Sequence, residues 1–304
     1  MKELLDQIVK QASEIILGKE HQIRLSIACF LARGHLLIED VPGVGKTTLT
    51  HVLARCLGLE YNRVQFTSDL LPADILGVSI YDQHSGEFHF RQGPIFTNIL
   101  LADEINRATP KCQSALLEAM EEQQVSIENA TRVLPSPFFV IATQNPNYQL
   151  GTYPLPESQL DRFMMCITMG YPDPASERAL LAGENRRDLL NKLQAPISQQ
   201  QLTTLQTSVN TIFVSDALLD YLQNLLAFTR TTSTFDCGLS PRAGLALKHC
   251  AQAWALMDGR DHVLPEDVQA VLPHVVGHRL HSGKHHNDSE RQQLSAQLAC
   301  IPIP

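Results

Sequence analysis

Two short stretches carry residues whose types and spacing could do chemistry. The first is Leu36-Leu37-Ile38-Glu39-Asp40-Val41-Pro42-Gly43-Val44-Gly45-Lys46-Thr47-Thr48, an apolar run entering a Gly-x-Gly-Lys-Thr turn and then a helical pattern. Gly43 and Gly45 let the backbone curl until successive N–H groups point at one anion. A helix that begins there adds the partial positive charge of its N-terminus. The turn from Pro42 through Gly43, Val44, Gly45, Lys46, Thr47 and Thr48 therefore suits the phosphates of a nucleotide. Lys46 has the reach to meet β- and γ-phosphates, and the Thr47 hydroxyl can ligate Mg²⁺. The strict form of the pattern has glycine where Asp40 stands. An acid is tolerable there only with its side chain turned away from the phosphates. The competing reading is an ordinary Gly-rich turn from strand to helix.

The second stretch is Ile99-Leu100-Leu101-Ala102-Asp103-Glu104, a short apolar run closed by two acids. In a parallel sheet the C-terminal end of a strand faces the ligand crevice. Asp103 could hold Mg²⁺ through its water shell, and Glu104 could polarise an attacking water. Alone, this is also what an acidic turn after a core strand looks like. Placed after Lys46 in βα order, the pair specifies a site for a magnesium-bound triphosphate.

Such a site needs strands that end at one edge of one sheet. Up to about residue 170 the chain alternates helical patterns with short apolar runs, the rhythm of a parallel sheet. Helices are expected over 4–17, 23–32, 47–57 and 111–122, and strands over 35–39, 61–66, 99–103, 138–143 and 164–169. Segments 79–81 and 87–90 flank a polar, Gly-containing turn and read as a hairpin. A second hairpin is expected over 123–134, turning near 128–130. The pattern changes at Tyr171-Pro172-Asp173-Pro174, and only helices follow, over 175–193, 198–209, 215–230, 241–257 and 265–281. The expected division is a nucleotide-binding core over 1–190 and a helical unit over 191–304.

Composition narrows the class. At 304 residues with 44% hydrophobic and 18% charged residues, the chain can bury a sizeable core. A net charge of −8 argues against a protein that coats nucleic acid, which would present a basic face. No apolar run reaches the ~20 residues that span a bilayer, and Met1 to Lys10 lacks a signal-peptide core. Cys29, Cys56, Cys112, Cys166, Cys237, Cys250 and Cys300 form no C-x-x-C pair, which suits reduced thiols in a cytoplasmic protein.

The sequence resembles the MoxR group of AAA+ ATPases over nearly its whole length. The resemblance is carried by Glu39-Asp-Val-Pro-Gly-Val-Gly-Lys-Thr47, Gln65-Phe-Thr-Ser-Asp-Leu-Leu-Pro-Ala-Asp-Ile-Leu-Gly77, Gly93-Pro-Ile-Phe96 and Ala102-Asp-Glu-Ile-Asn-Arg-Ala108. It continues in Leu116-Leu-Glu-Ala-Met-Glu-Glu122, Ala142-Thr-Gln-Asn-Pro146, Leu155-Pro-Glu-Ser-Gln-Leu-Asp-Arg-Phe163 and Leu239-Ser-Pro-Arg-Ala243. Asp40 is itself typical of the group.

The resemblance implies an α/β fold of the P-loop NTPase type: a three-layer αβα core around a parallel five-stranded sheet, followed by a small all-α lid. It implies ATP hydrolysis with Mg²⁺ held by Thr47 and Asp103, and Glu104 as the base. Asn145 matches sensor 1, whose amide orients the water against the γ-phosphate. Arg162 matches the arginine finger that reaches a neighbouring subunit's ATP. Arg242 matches sensor 2 on the lid, touching the γ-phosphate so that the lid moves with nucleotide state. Ile16-Leu17-Gly18-Lys19 resembles the segment that packs on adenine. Arg107 is a candidate for contact with a neighbour, and the hairpin residues Tyr81, Phe88 and Arg132 for contact with partners. The implied assembly is a homo-oligomeric ring, a hexamer. Its role is a chaperone-like motor acting on protein clients, with a von Willebrand A-domain protein as partner. Nucleic acid is not an expected partner. A DNA-associated motor and a nucleotide-gated binding module with little hydrolysis are the alternatives. DNA-stimulated turnover would favour the former, whereas the intact Glu104 speaks against the latter.

Two other features are noted. His274, His278, His281, His285 and His286 cluster near the C-terminus, and His274 with His278 has chelating spacing, though no acid or cysteine completes a set. Trp254 falls in an apolar helical stripe with Leu247 and Ala251 and is expected in the core of the helical unit.

Overall fold

The computed structural model describes residues 1–127, 130–145, 152–183, 186–232, 235–280, 298 and 301–303. The chain opens with two helices, α1 (Lys2–Ile15) and α2 (Glu20–Leu31), then β1 (Leu36–Glu39), α3 (Lys46–Leu57) and β2 (Tyr61–Gln65). A short α4 (Pro72–Leu76) leads into the hairpin of β3 (Gly77–Asp82) and β4 (Glu87–Gln92). Next come β5 (Ile99–Asp103), a single 3₁₀ turn at Ile105–Arg107 and α5 (Pro110–Glu122). A second hairpin pairs β6 (Gln124–Ile127) with β7 (Ala130–Val133), followed by β8 (Phe139–Gln144), α6 (Glu157–Leu160) and β9 (Met165–Ile167). Six helices end the described chain: α7 (Pro174–Ala182), α8 (Arg186–Lys192), α9 (Gln199–Val209), α10 (Asp216–Thr231), α11 (Pro241–Met257) and α12 (Pro265–Val276).

The central sheet has five strands in the order β2-β5-β8-β1-β9, and every neighbouring pair is parallel. This is the expected α/β fold with a helical unit after it. The apolar runs of β1, β5, β8 and β9 lack polar alternation because both faces of these strands are covered. Leu36, Ile38, Ile99, Leu101, Phe139, Ile141, Met165 and Ile167 face one core. Leu37, Leu100, Ala102, Val140, Ala142 and Cys166 face the other, with α4 and α5 above them. Each fully buried Leu, Ile or Val side chain is worth about 1.5–3 kcal/mol, so these runs are stable only inside the sheet.

The first core is shared. It joins α1 (Ile8), α2 (Phe30) and α3 (Leu53) to α9 (Leu202), α10 (Tyr221), α11 (Leu247) and α12 (Leu272). A division after residue 190 falls inside α8. Ser198, Ser215 and Ser240 cap α9, α10 and α11 by accepting backbone N–H groups of Gln201, Leu218 and Ala243, each cap being worth about 1 kcal/mol. The helix expected over 175–193 is two helices, because α7 stops at Gly183 in extended backbone. The last helix ends at Val276, short of the expected 281, since His278 turns in to bond the Phe163 carbonyl at 2.9 Å. His281, His285 and His286, Cys300, and the turn residues Glu128 and Asn129 lie outside the described residues. Among the described residues no helix is long and apolar enough to cross a membrane.

Candidate active site

Because the sheet is parallel, Glu39, Asp103 and Gln144 end their strands at one edge. The turn after β1 opens there. Gly43 and Gly45 have φ of 89° and 95°, and a Cβ added at either would meet nothing within 4 Å. The turn is thus an open cradle built in the left-handed region, where glycine is nearly free of strain. α3 begins directly at Lys46, with Gly45 as its N-cap. Lys46 is buried, and its Nζ donates to the carbonyls of Asp40 (2.6 Å) and Val41 (3.2 Å) and to Asn145 Oδ1 (3.4 Å). Burial lowers the Lys46 pKa, and nearby Asp40, Asp103 and Glu104 oppose that shift. Thr47 is half-buried at the first turn, while Pro42, Gly43 and Thr48 are exposed and Val44 half-buried. A cradle of open N–H groups with a cation folded onto neutral oxygens fits a phosphate chain.

Asp40 does turn away from the cradle. Its Oδ2 accepts the N–H groups of Met169 and Gly170, both at 2.6 Å, and Oδ1 accepts Val41 N–H at 2.7 Å. The acid where the strict pattern has glycine is therefore a tie between the phosphate turn and the end of β9.

The two acids of β5 are each held by side chains from neighbouring strands. Asp103 is buried. Its Oδ1 accepts the Thr143 hydroxyl at 2.6 Å, and its Oδ2 accepts Arg63 Nη2 at 2.7 Å. Thr143 in turn accepts the Glu104 N–H at 2.9 Å. Glu104 sits at φ 56°, ψ 48°, a left-handed conformation that costs a non-glycine residue about 1–2 kcal/mol. That twist turns its carboxylate toward Asn145, whose Nδ2 donates to Oε1 at 3.0 Å, while Gln65 Nε2 donates to Oε2 at 2.9 Å. Arg107 Nε lies 3.2 Å from the same Oε2, so this arginine, expected to face a neighbour, contacts its own chain's Glu104. Asn106, buried beneath, donates to the Asn145 carbonyl at 3.1 Å. Lys46, Asp103, Glu104 and Asn145 thus meet at one place. With Thr47 they offer the hydroxyl and carboxylate oxygens that Mg²⁺ prefers.

Sequence reasoning missed Arg63 and gave no role to Gln65 or Thr143, which stand within the stretches that carry the resemblance. The available signal was the alternation of β2, which puts residues 63 and 65 on one face, but which strand lies beside it is a long-range fact.

Residues 35–165 match the ATPase family associated with various cellular activities (AAA), and residues 227–298 match the AAA lid domain. The chain is 45% identical to YeaC of Bacillus subtilis over 91% of its own length and 87% of the relative's. It is 43% identical to the chaperone MoxR1 of Mycobacterium tuberculosis, over 91% of this chain and 75% of that one. A crystal structure from Cytophaga hutchinsonii, described as a candidate ATPase, superposes with a TM-score of 0.87 at 35% identity, covering 100% of this chain and 96% of its own. The chain belongs to the MoxR group of AAA+ ATPases.

In this MoxR-type chain neither Arg162, expected to reach a neighbour's ATP, nor Arg242, expected at the γ-phosphate, lies with Lys46. Arg162 precedes β9, so it sits at the edge where the strands begin, opposite the cradle. α5 ends at that same edge, where His35 Nε2 meets the Met120 carbonyl at 3.3 Å just before β1. Arg162 Nη1 donates to the Leu117 carbonyl of α5. Arg242 pairs with Glu121, one turn further along. Ser240, capping α11, bonds Asp161 at 3.1 Å, and Arg279 Nε bonds the same carboxylate at 2.7 Å. Asp161 is thus taken by Arg279 and is not Arg162's partner. Arg242, expected to touch a γ-phosphate, is held away from its own chain's cradle by the docking of α11 onto Asp161.

Gly18 (φ 69°) lies against the start of α7, where an added Cβ would come within 2.6 Å of Asp173 Oδ2 and Ser176 Oγ. Lys19 Nζ donates to the Tyr171 carbonyl at 2.8 Å, which ties this segment to the chain that follows β9. On the first hairpin Tyr81 and Phe88 form an exposed aromatic pair, 5.2 Å between centroids, while Arg132 of β7 stacks over Phe90 at 3.8 Å. His274 bonds the Cys166 carbonyl and His278 that of Phe163, so the two do not converge on a shared ligand. Trp254 packs against the shared core as a half-buried residue, with Arg24 of α2 5.1 Å from its ring centroid. Cys29, Cys56, Cys112, Cys166 and Cys250 are buried and Cys237 is exposed, none of them in a disulfide. Burial pushes Cys56 and Cys250 up to about 12, which makes them inert packing groups.

Proposed function

We propose that this chain binds MgATP at the turn around Lys46 and hydrolyses it within a ring of identical subunits that remodels protein partners. The observation that carries the reading is the link Lys46 Nζ to Asn145 Oδ1 (3.4 Å) and Asn145 Nδ2 to Glu104 Oε1 (3.0 Å), beside Asp103. Cation, metal acid, base and orienting amide converge over one cradle.

Bound Mg²⁺ would supply positive charge that offsets the charge building up on the triphosphate. The N–H groups from Gly43 to Thr48 grip the phosphates. Lys46 exchanges the Asp40 and Val41 carbonyls for phosphate oxygens. Thr47 and Asp103 would hold the metal. Glu104 takes the proton of the attacking water, and Asn145, both donor and acceptor, orients it. Gln65 and Arg107 must first give up Glu104 Oε2. The Gly18 segment packs on adenine.

Arg162 and Arg242 lie together at the opposite edge, so in this reading both serve a neighbour's γ-phosphate, where fixed guanidinium charge counts in the transition state. Kinship with the MoxR1 chaperone supports protein clients. A cytoplasmic hexamer, a von Willebrand A-domain partner and client contact through Tyr81, Phe88 and Arg132 complete the proposal.

Glu104→Gln tests it. The variant should bind ATP with magnesium as the wild type does while turnover falls by about 10²–10⁴-fold. Wild-type turnover in that variant would remove Glu104 from the role of base.

A further inference from the structure

β2 is the edge strand beside the two acids, and its register puts Arg63 across from Leu101 and Gln65 across from Asp103. Arg63 donates to Asp103 Oδ2 from both Nε (3.2 Å) and Nη2 (2.7 Å), and Nη2 also reaches Gln65 Oε1 at 3.1 Å. A carboxylate offers about four lone-pair directions. Arg63 fills both on Oδ2, and Thr143 fills one on Oδ1. The acid that should hold the metal is therefore already neutralised and nearly saturated, with its side chain 10% exposed.

A hydrated Mg²⁺ needs the same acceptor positions, because its waters donate to carboxylate oxygens. Its two charges also repel a guanidinium lodged on the same group. Arg63 has somewhere to go, since its side chain is 48% exposed.

We propose that Arg63 is the internal counter-cation of Asp103, exchanged for Mg²⁺ when the metal-bound nucleotide arrives, so that it sets the magnesium concentration at which the site fills. This deepens the MgATP reading and rests on it. Arg63 is a positioning residue that acts through Asp103 and touches no reacting atom. Its departure also takes a partner from Gln65, which holds Glu104 Oε2.

The test is a magnesium titration of the full-length protein with a fluorescent, non-hydrolysable ATP analogue, read as binding rather than turnover. Arg63→Gln should lower the half-saturating magnesium by roughly fivefold, the size of one partly exposed ion pair. Arg63→Lys, which keeps the charge but loses the two-pronged contact, should fall between it and the wild type. Analogue binding in excess chelator should be the same for all three. A thermal melt shows whether each variant is folded; if Arg63→Gln is not, the direction of the Arg63→Lys shift decides. An unmoved or raised magnesium requirement in a folded variant overturns the exchange. Failure of the wild type to bind the analogue at any magnesium concentration overturns the MgATP site and this inference with it.

Discussion

Asp40 shows how a carboxylate can sit beside a phosphate cradle without repelling its ligand. Three backbone N–H groups claim it, two of them at the end of β9. Asp40→Ala would strand those donors at a cost of about 1–3 kcal/mol. Chemical denaturation should show that loss, with Asp40→Asn losing less because it keeps one acceptor oxygen; an unchanged midpoint in Asp40→Ala would mean that water replaces the tie. His35 makes the second residue-scale prediction. It is buried, accepts Val140 N–H at Nδ1 (3.0 Å) and meets the Met120 carbonyl at Nε2, an arrangement that requires the neutral ring. Burial lowers its pKa to about 4, with the Met120 bond pulling weakly the other way. The unfolded chain binds that proton near 6.5. Stability is therefore complete above pH 6.5 and drains away as pH falls from there toward about 4. His274, also lowered to about 4 by burial, adds in the same direction. Each contributes on the order of 3 kcal/mol over that span. Melts at pH 7.5 and 5.0 should show the drop, and His274→Gln should make the pH slope shallower.

Elements built from local pattern were legible in the sequence; their ends and neighbours were less so. The apolar runs at 36–39, 99–103 and 139–144 could be stable only as central strands, so strand type and position followed from composition alone. The break between α7 and α8 was missed because helical spacing continues through Gly183, and only its extended backbone ends the helix. α4 has five residues, too few to show a period. The first hairpin was readable from its turn, but what fixes its base was not. There Gly77 (φ 105°) and Gly93 face each other so closely that a Cβ on Gly93 would lie 2.3 Å from the Ile75 carbonyl oxygen and 2.5 Å from Gly77 N. Gly93→Ala should lower the melting temperature and disorder the hairpin, with a cost of about 1–3 kcal/mol. Phe88→Ser at the 70% exposed tip should stay within about 0.5 kcal/mol of the wild type. If Phe88→Ser melts early, the tip is packed rather than presented.

At the scale of the whole molecule two groups of residues sit at opposite edges of the sheet. Lys46, Asp103, Glu104 and Asn145 gather where the strands end, and Arg162 and Arg242 gather where they begin. The first group was legible because its members are neighbours of strand ends in a recognisable order. Arg63 with Asp103 and Arg242 with Glu121 were not, because each pair joins segments far apart in the chain and needs the assembled sheet or the docked helices to meet. Under the proposed function, Arg162→Ala should keep nucleotide affinity while hydrolysis falls by about 10³-fold or more. Equilibrium binding set beside turnover separates the two, and equal losses in both would place Arg162 at its own nucleotide. Under the same proposal, the two-edged layout would make the catalytic unit a junction between copies. A solitary molecule then owns no complete junction, an open row of n copies owns n − 1, and only a closed ring owns n. Specific activity should climb from nearly nothing through half at the dimer toward a plateau at closure. Doping the assembly with copies lacking Arg162 should silence the neighbour's junction and leave the doped copy's own pocket working.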